Sequence, residues 1–185
     1  MNIMLDIMGS FVIGGILALM LFNFNTYQST TRYQSDSELQ LQQNAKTLAD
    51  IINYDLRKIG YDMERDSIWV ETSSQRLSFY SDIDRDGTPD LVTYFLGDSI
   101  ESTATATPNP RDKTLFRVVN SDTTGGPTLG LTKLVFIYMD ESGNPTTVPS
   151  GIKYIKSEIW VESLEPIAGE YIFTYWEMTI NPRNL

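Results

Sequence analysis

From Ile7 to Phe22 the chain offers a single polar side chain, Ser10. The whole opening run, Met1–Phe24, reads MNIMLDIMGSFVIGGILALMLFNF, and neither Lys nor Arg occurs before Arg32. As a helix, Ile7–Phe24 is about 27 Å long at roughly 1.5 Å per residue, just short of the about 30 Å of a bilayer core. Such a segment belongs in a bilayer, a signal peptide or the core of an assembly. Its first residues carry no base and no A-x-A site follows Phe24, both of which argue against a cleaved secretory signal.

The pattern then becomes one-sided. Asn25–Tyr33 is polar and rich in Thr and Tyr, a place where a helix can fray or bend. Beyond it Leu41, Ala45, Leu48, Ile52, Leu56 and Ile59 recur at helical spacing, with Gln42, Gln43, Lys46, Asp50, Asn53 and Lys58 between them. This predicts an amphipathic helix over 33–60, stopped by Gly60, with Arg57 and Lys58 in its last turn. The first Pro is Pro89, so the apolar and amphipathic stretches can form one nearly continuous helix. Apolar all round at first and one-sided afterwards, such a helix has two different surroundings.

After Gly60 the period changes to two. Ser67–Glu71, Gln75–Ser81, Leu91–Leu96, Thr114–Val119, Lys133–Met139, Tyr154–Glu162 and Glu170–Ile180 read as strands, rich in β-branched and aromatic residues. In Tyr154–Glu162, Ile155, Ser157, Ile159 and Val161 alternate with Lys156, Glu158, Trp160 and Glu162, the mark of a half-buried antiparallel strand. Gly97–Lys113 and Asn120–Gly130 read as loops. The expectation is an α+β chain: a helical segment 1–60, whose 1–24 part is apolar, then an antiparallel sheet domain over 61–185.

Composition narrows the function. The 185 residues carry a net charge of −10, with the acids almost entirely after residue 35. That disfavours a general nucleic-acid binder, which needs basic stripes. Cys and His are both absent, which removes disulfides, thiol nucleophiles, Ser-His-Asp arrangements and the commonest transition-metal ligand. No catalytic constellation stands out. Glu158 and Glu162 form a carboxylate pair on a polar strand face, where solvation is the ordinary role. Trp69, Trp160 and Trp176, with ten Tyr, suit sheet core and cross-strand pairs better than a sugar- or peptide-binding platform.

One stretch has metal-ligand spacing. Asp82, Asp84, Asp86 and Asp90 fit D-x-D-x-D-G-x-x-D, with Gly87 directly after the third acid. Alternate residues in a tight loop turn their carboxylates to a common centre, and Gly allows the sharp turn; oxygen-only ligands point to Ca²⁺, with the Thr88 carbonyl as a further ligand. The full EF-hand loop is not present, because its twelfth position counted from Asp82 is Thr93 rather than Glu. The loop is similar to the shorter calcium loops of integrin-type and dockerin-type repeats. The alternative is a solvated Asp-Gly turn joining two strands, which is also the reading of Asp140–Pro145.

Near the start, Asp6 suits the positive end of a helix dipole or pairs with the amino terminus of a neighbouring copy in a helical bundle. Gly9, Gly14 and Gly15 let helices approach closely. Taken together, the apolar helix with an acid near its start, the amphipathic helix and the sheet domain resemble the type IV pilin and type II secretion pseudopilin superfamily. Leu56-Arg-Lys-Ile-Gly-Tyr61, LSFYSDIDRDGTPDLVTYFL, Thr114-Leu-Phe-Arg117 and Asn181-Pro-Arg-Asn-Leu185 carry the likeness toward its minor-pilin branch. The family's precursors have a short basic leader ending in Gly and then an acid at the fifth mature position. Asp6 is the nearest counterpart, one place late if Met1 is the mature start, and cleavage after Gly9 would put Gly14 there.

The resemblance implies a non-enzymatic structural subunit of an extracellular or cell-surface filament. On this expectation the subunit is anchored in the inner membrane before assembly and polymerises with copies of itself and related pilin-like subunits, and calcium held by the Asp82–Asp90 motif stabilises it. The alternative is a membrane-anchored or filament-tip binding module, an adhesin or secretion pseudopilin, that does not polymerise alone. Charge alone, from Arg32 and the later Lys residues, favours a cytoplasmic C-terminus instead.

Overall fold

The computed structural model describes residues 3–63, 68–97, 107–126, 129–167 and 169–185. Met1, Ser67 at the start of the first predicted strand, and residues 98–106 of the predicted Gly97–Lys113 loop lie outside the described residues.

A single helix, α1 (Ile3–Leu56), takes in both the apolar and the amphipathic stretch. The polar segment between them does not break it. There the hydroxyls of Thr26, Thr30 and Thr31 donate to the carbonyls of Phe22, Thr26 and Tyr27 at 2.9–3.0 Å, so these side chains are satisfied inside the helix rather than competing with it. The chain divides into two compact units, Met1–Leu39 and Gln40–Leu185.

In the first unit the apolar side chains from Ile7 to Phe24 stand exposed around the helix. In the second, Leu41, Ala45, Leu48, Ile52, Leu56 and Ile59 are all buried, the face the spacing predicts. Gly60 does not end the helix directly, a departure from the sequence expectation. The regular helix stops at Leu56, and turns bonded from residue i+3 to i carry the chain through Lys58, Ile59 and Tyr61. Gly60 sits in these turns at φ +72, where a Cβ would meet the Ile68 side chain at 2.7 Å.

Among the described residues, eight strands follow in two antiparallel sheets. The first sheet runs β1 (Trp69–Thr72), β2 (Arg76–Ser81), β3 (Asp90–Gly97), β4 (Thr114–Val119) and β5 (Asp122–Gly125), in that spatial order. The second runs β6 (Leu131–Met139), β7 (Tyr154–Glu162) and β8 (Phe173–Ile180). This is the α+β architecture expected from the sequence. The inner faces of both sheets, including Leu77, Phe79, Val92, Leu134, Phe136 and Ile159, join the helix face in one hydrophobic cluster.

Two elements differ from the sequence reading. β5 lies inside the predicted Asn120–Gly130 loop. Its residues, Asp-Thr-Thr-Gly, are all exposed and carry no apolar alternation, so only the ladder to β4, with Val119 opposite Asp122, makes it a strand. β8 begins at Phe173 rather than Glu170, because Glu170 turns back to bond Ile167 in both directions. The chain rejoins the sheet once the Ser163 amide reaches the Ile172 carbonyl at 2.8 Å.

Candidate metal centre

The acidic motif forms the loop of the β2–β3 hairpin, whose ladder closes at Ser81 opposite Asp90. The loop base is tied on two sides. Toward the end of α1, the Asp82 amide donates to the Tyr61 carbonyl at 3.1 Å and the Ser81 hydroxyl to the Lys58 carbonyl at 2.7 Å. Toward the β4–β5 turn, Asn120 donates through Nδ2 to Asp90 at 2.7 Å and accepts from the Leu91 amide at 3.0 Å.

Inside the loop the carboxylates organise the backbone. Asp82 is buried, and its Oδ1 accepts from the amides of Arg85 (2.7 Å) and Asp86 (3.2 Å), while Oδ2 accepts from Gly87 (3.2 Å). Asp84 accepts from the Asp86 amide at 3.2 Å. Asp86 accepts from both the amide and the hydroxyl of Thr88, and these bonds, the hydroxyl's first, hold its carboxyl below the ordinary value of 3.8. Such a tight path needs positive φ at Arg85 (65) and Gly87 (84); glycine adopts that conformation freely.

One carboxylate oxygen from each of Asp82, Asp84 and Asp86 lies within 4.8 Å of the others, a set that can hold a metal ion. Asp90, the fourth acid of the motif, lies outside that three-carboxylate group. Its Oδ2 takes the Ile83 amide at 3.1 Å and its Oδ1 takes Asn120, closing the loop base. Thr88 is turned to Asp86 through its own amide and hydroxyl. The second acidic turn is self-contained: Asp140 accepts from the amides of Ser142 and Asn144 at 2.9 Å, with Gly143 at φ +80.

The other sequence candidates have clear positions. Asp6 is exposed in the first turn of α1, and its backbone carbonyl takes the Ser10 hydroxyl at 2.8 Å. Among the described residues, a Cβ added at Gly9, Gly14 or Gly15 would meet nothing within 4 Å. Trp69 packs edge-on to Tyr138 and Trp160 against Tyr175, as cross-element and cross-strand pairs. Glu158 pairs with Lys156, and Glu162 with Arg111.

The sequence pattern did not single out Asp55. Only 1% exposed on the buried face of α1, it accepts on Oδ2 from the Tyr94 hydroxyl (2.6 Å, β3) and Arg117 Nε (2.5 Å, β4). Burial, together with the Asp55 charge, raises the Tyr94 phenol well above its ordinary 10.0. At Arg117 burial works to lower the pKa, but the bonds to Asp55 outweigh it and raise it. A signal was present in the sequence: Asp55 follows Leu48 by seven residues and precedes Ile59 by four, so an acid stood on the apolar stripe. Its partners, cross-strand neighbours in the β3–β4 ladder, become visible only with the register.

No family model, no curated protein and no solved structure matches the chain. The architecture itself, a long N-terminal helix followed by antiparallel sheet, is compatible with a pilin-like fold. Among the described residues, one helix is long and apolar enough to cross a membrane by length and composition, which is compatible with an anchor or a signal.

Proposed function

We propose that the chain is a non-enzymatic structural subunit of an extracellular or cell-envelope pilus-like filament. Copies associate through the apolar half of α1, with related pilin-like subunits as further partners, and the same segment anchors each copy in the inner membrane beforehand. The observation that carries this reading is the exposure of the apolar side chains around the helix from Ile7 to Phe24, in the same helix that packs into the folded unit. Each large apolar side chain left in water forgoes about 1.5–3 kcal/mol that burial would provide. A bilayer and a bundle of sister helices are the two surroundings that provide it. Gly9, Gly14 and Gly15 have free space around them and suit close helix approach.

The ion at Asp82, Asp84 and Asp86 is, on this reading, Ca²⁺. An all-oxygen, all-carboxylate set suits a hard cation. Ion binding would offset two of the three clustered negative charges and stiffen a loop bonded both to the end of α1 and to Asn120.

The test is polymerisation on detergent removal. The wild-type chain is expected to form filaments. Leu17→Arg, which puts a charge on the exposed apolar helix, is expected to remain dispersed with the thermal unfolding of the sheet unit unchanged. Filaments from Leu17→Arg as abundant as from wild type would refute the assembly role of the helix.

A further inference from the structure

The two sheets have four edges, and three are blunted. β1 is four residues long with an irregular register between Trp69 and Glu71, and β5 is four exposed polar residues. The outer side of β6 is met by the β1–β2 turn, with the Phe136 amide donating to the Ser74 carbonyl at 2.9 Å. β8 is different. It runs eight residues, Phe173–Ile180, in unbroken register with β7 and pairs with no other strand among the described residues. It carries no Pro, no Lys and no bulge, three of the devices by which proteins protect a free edge, and its one charge, Glu177, is paired with Lys156 of β7 at 3.0 Å. Exposed aromatic rings stand on both its faces: Phe173 (68% exposed) and Tyr175 (42%) on one, Trp176 (37%) on the other. A flat partner would cover one face only, whereas an added strand meets both.

We propose that β8 pairs antiparallel with β8 of a second copy, about a two-fold axis through Trp176, so that two three-stranded sheets become one of six strands. The strand's own chemistry selects this partner and register. A two-fold axis perpendicular to the sheet keeps inner faces together and pairs residues of the same face. Centred on Trp176, it sets Phe173 opposite Thr179, Thr174 opposite Met178 and Tyr175 opposite Glu177. The only charge on the strand, Glu177, then faces a phenol that already donates to Glu177 within each chain at 2.7 Å. Centring on Glu177 instead would set two carboxylates opposite each other, which is destabilising. Centring on Tyr175 would leave the C-terminal end of the strand unpaired. The contact is isologous and closes as a pair. It does not depend on filament formation.

The absence of cysteine from the chain makes the test direct. Phe173→Cys and Thr179→Cys are both exposed substitutions and leave Tyr175, Trp176 and Glu177 in place. Opposed residues of an antiparallel pair have Cα atoms about 4.5 or 5.5 Å apart, inside the about 4.4–6.8 Å span of a disulfide. Full-length chains in detergent micelles, mixed and mildly oxidised, should give a disulfide-linked dimer of Phe173→Cys with Thr179→Cys. Each variant alone should stay monomeric on a denaturing gel, and Trp176→Lys in both chains should abolish the band. The inference is overturned if the mixture cross-links no more than either variant alone, or if Val148→Cys, exposed elsewhere, cross-links to itself equally well. Pairing of β8 with a strand of some other protein would give the first of these results.

Discussion

Separating what the acidic loop does as a scaffold from what it does as a ligand set requires two substitutions. Asp82→Ala removes the acceptor of three backbone amides, those of Arg85, Asp86 and Gly87. Hydrogen bonds to a charged group contribute about 1.5–3 kcal/mol each. Because these amides lie in a surface loop and regain water when the carboxylate goes, the expected cost is about 2–3 kcal/mol in total, with or without a cation. Asp84→Ala loses a single 3.2 Å bond from an exposed residue. It also relieves repulsion between neighbouring carboxylates, about 1 kcal/mol per pair at 4 Å in water, and so should be neutral or slightly stabilising in EGTA. On the proposed reading, calcium reverses the comparison. At a hundred times its dissociation constant the ion adds about 2.7 kcal/mol to the wild-type chain, a rise of about 5–11 °C in melting temperature for a unit of this size. Both variants should lose that increment. Thermal melts of the three chains followed by circular dichroism, in EGTA and across a calcium titration, read these values. An Asp84→Ala chain that kept the full calcium increment would show that the ion is not held by these three carboxylates.

Asp55→Ala should destabilise the folded unit by about 3 kcal/mol, the low end for breaking a buried charge pair, because Arg117 keeps partial access to water; Tyr94→Phe should cost only about 1 kcal/mol, and urea denaturation distinguishes the two. Gly130→Ala should lower stability by more than about 2 kcal/mol, since at φ +79 its Cβ would lie 2.1 Å from the Glu162 carbonyl oxygen; the same melts measure it. Alkaline pH should unfold the protein cooperatively. Tyr94 and Tyr138 have raised folded-state pKa values, chiefly from burial, so their contribution is complete below the unfolded value of about 10 and lost as pH rises above it. Tyr94→Phe should weaken that dependence, and melting temperatures between pH 8 and 11 test it.

The elements legible in the sequence were those whose signal is local. The Leu41–Ile59 stripe and the alternation in Tyr154–Glu162 each report a buried face through spacing alone, and both faces are buried as read. β5 had no such signal, because an exposed Asp-Thr-Thr-Gly strand is defined by its partner and not by its own residues. In the acidic loop the motif spacing brought Asp82, Asp84 and Asp86 together. The role of Asp90 at the loop base depends on Asn120, thirty residues on, which no local pattern connects to it. Asp55 shows the same limit: an acid on an apolar stripe is readable as an anomaly, but Tyr94 and Arg117 resolve it only across two strands. The free edge at β8 likewise follows from strand order, not from the apolar character of its residues.

The proposed function has two parts, assembly through the apolar half of α1 and stiffening of the folded unit by calcium. Electron microscopy of the native material, before and after EGTA, tests both together. Long polymers of this chain with the N-terminal helices bundled at the centre, which shorten or dissolve on chelation, are the predicted result. Chains found only as dispersed monomers in detergent, indifferent to EGTA, would contradict it.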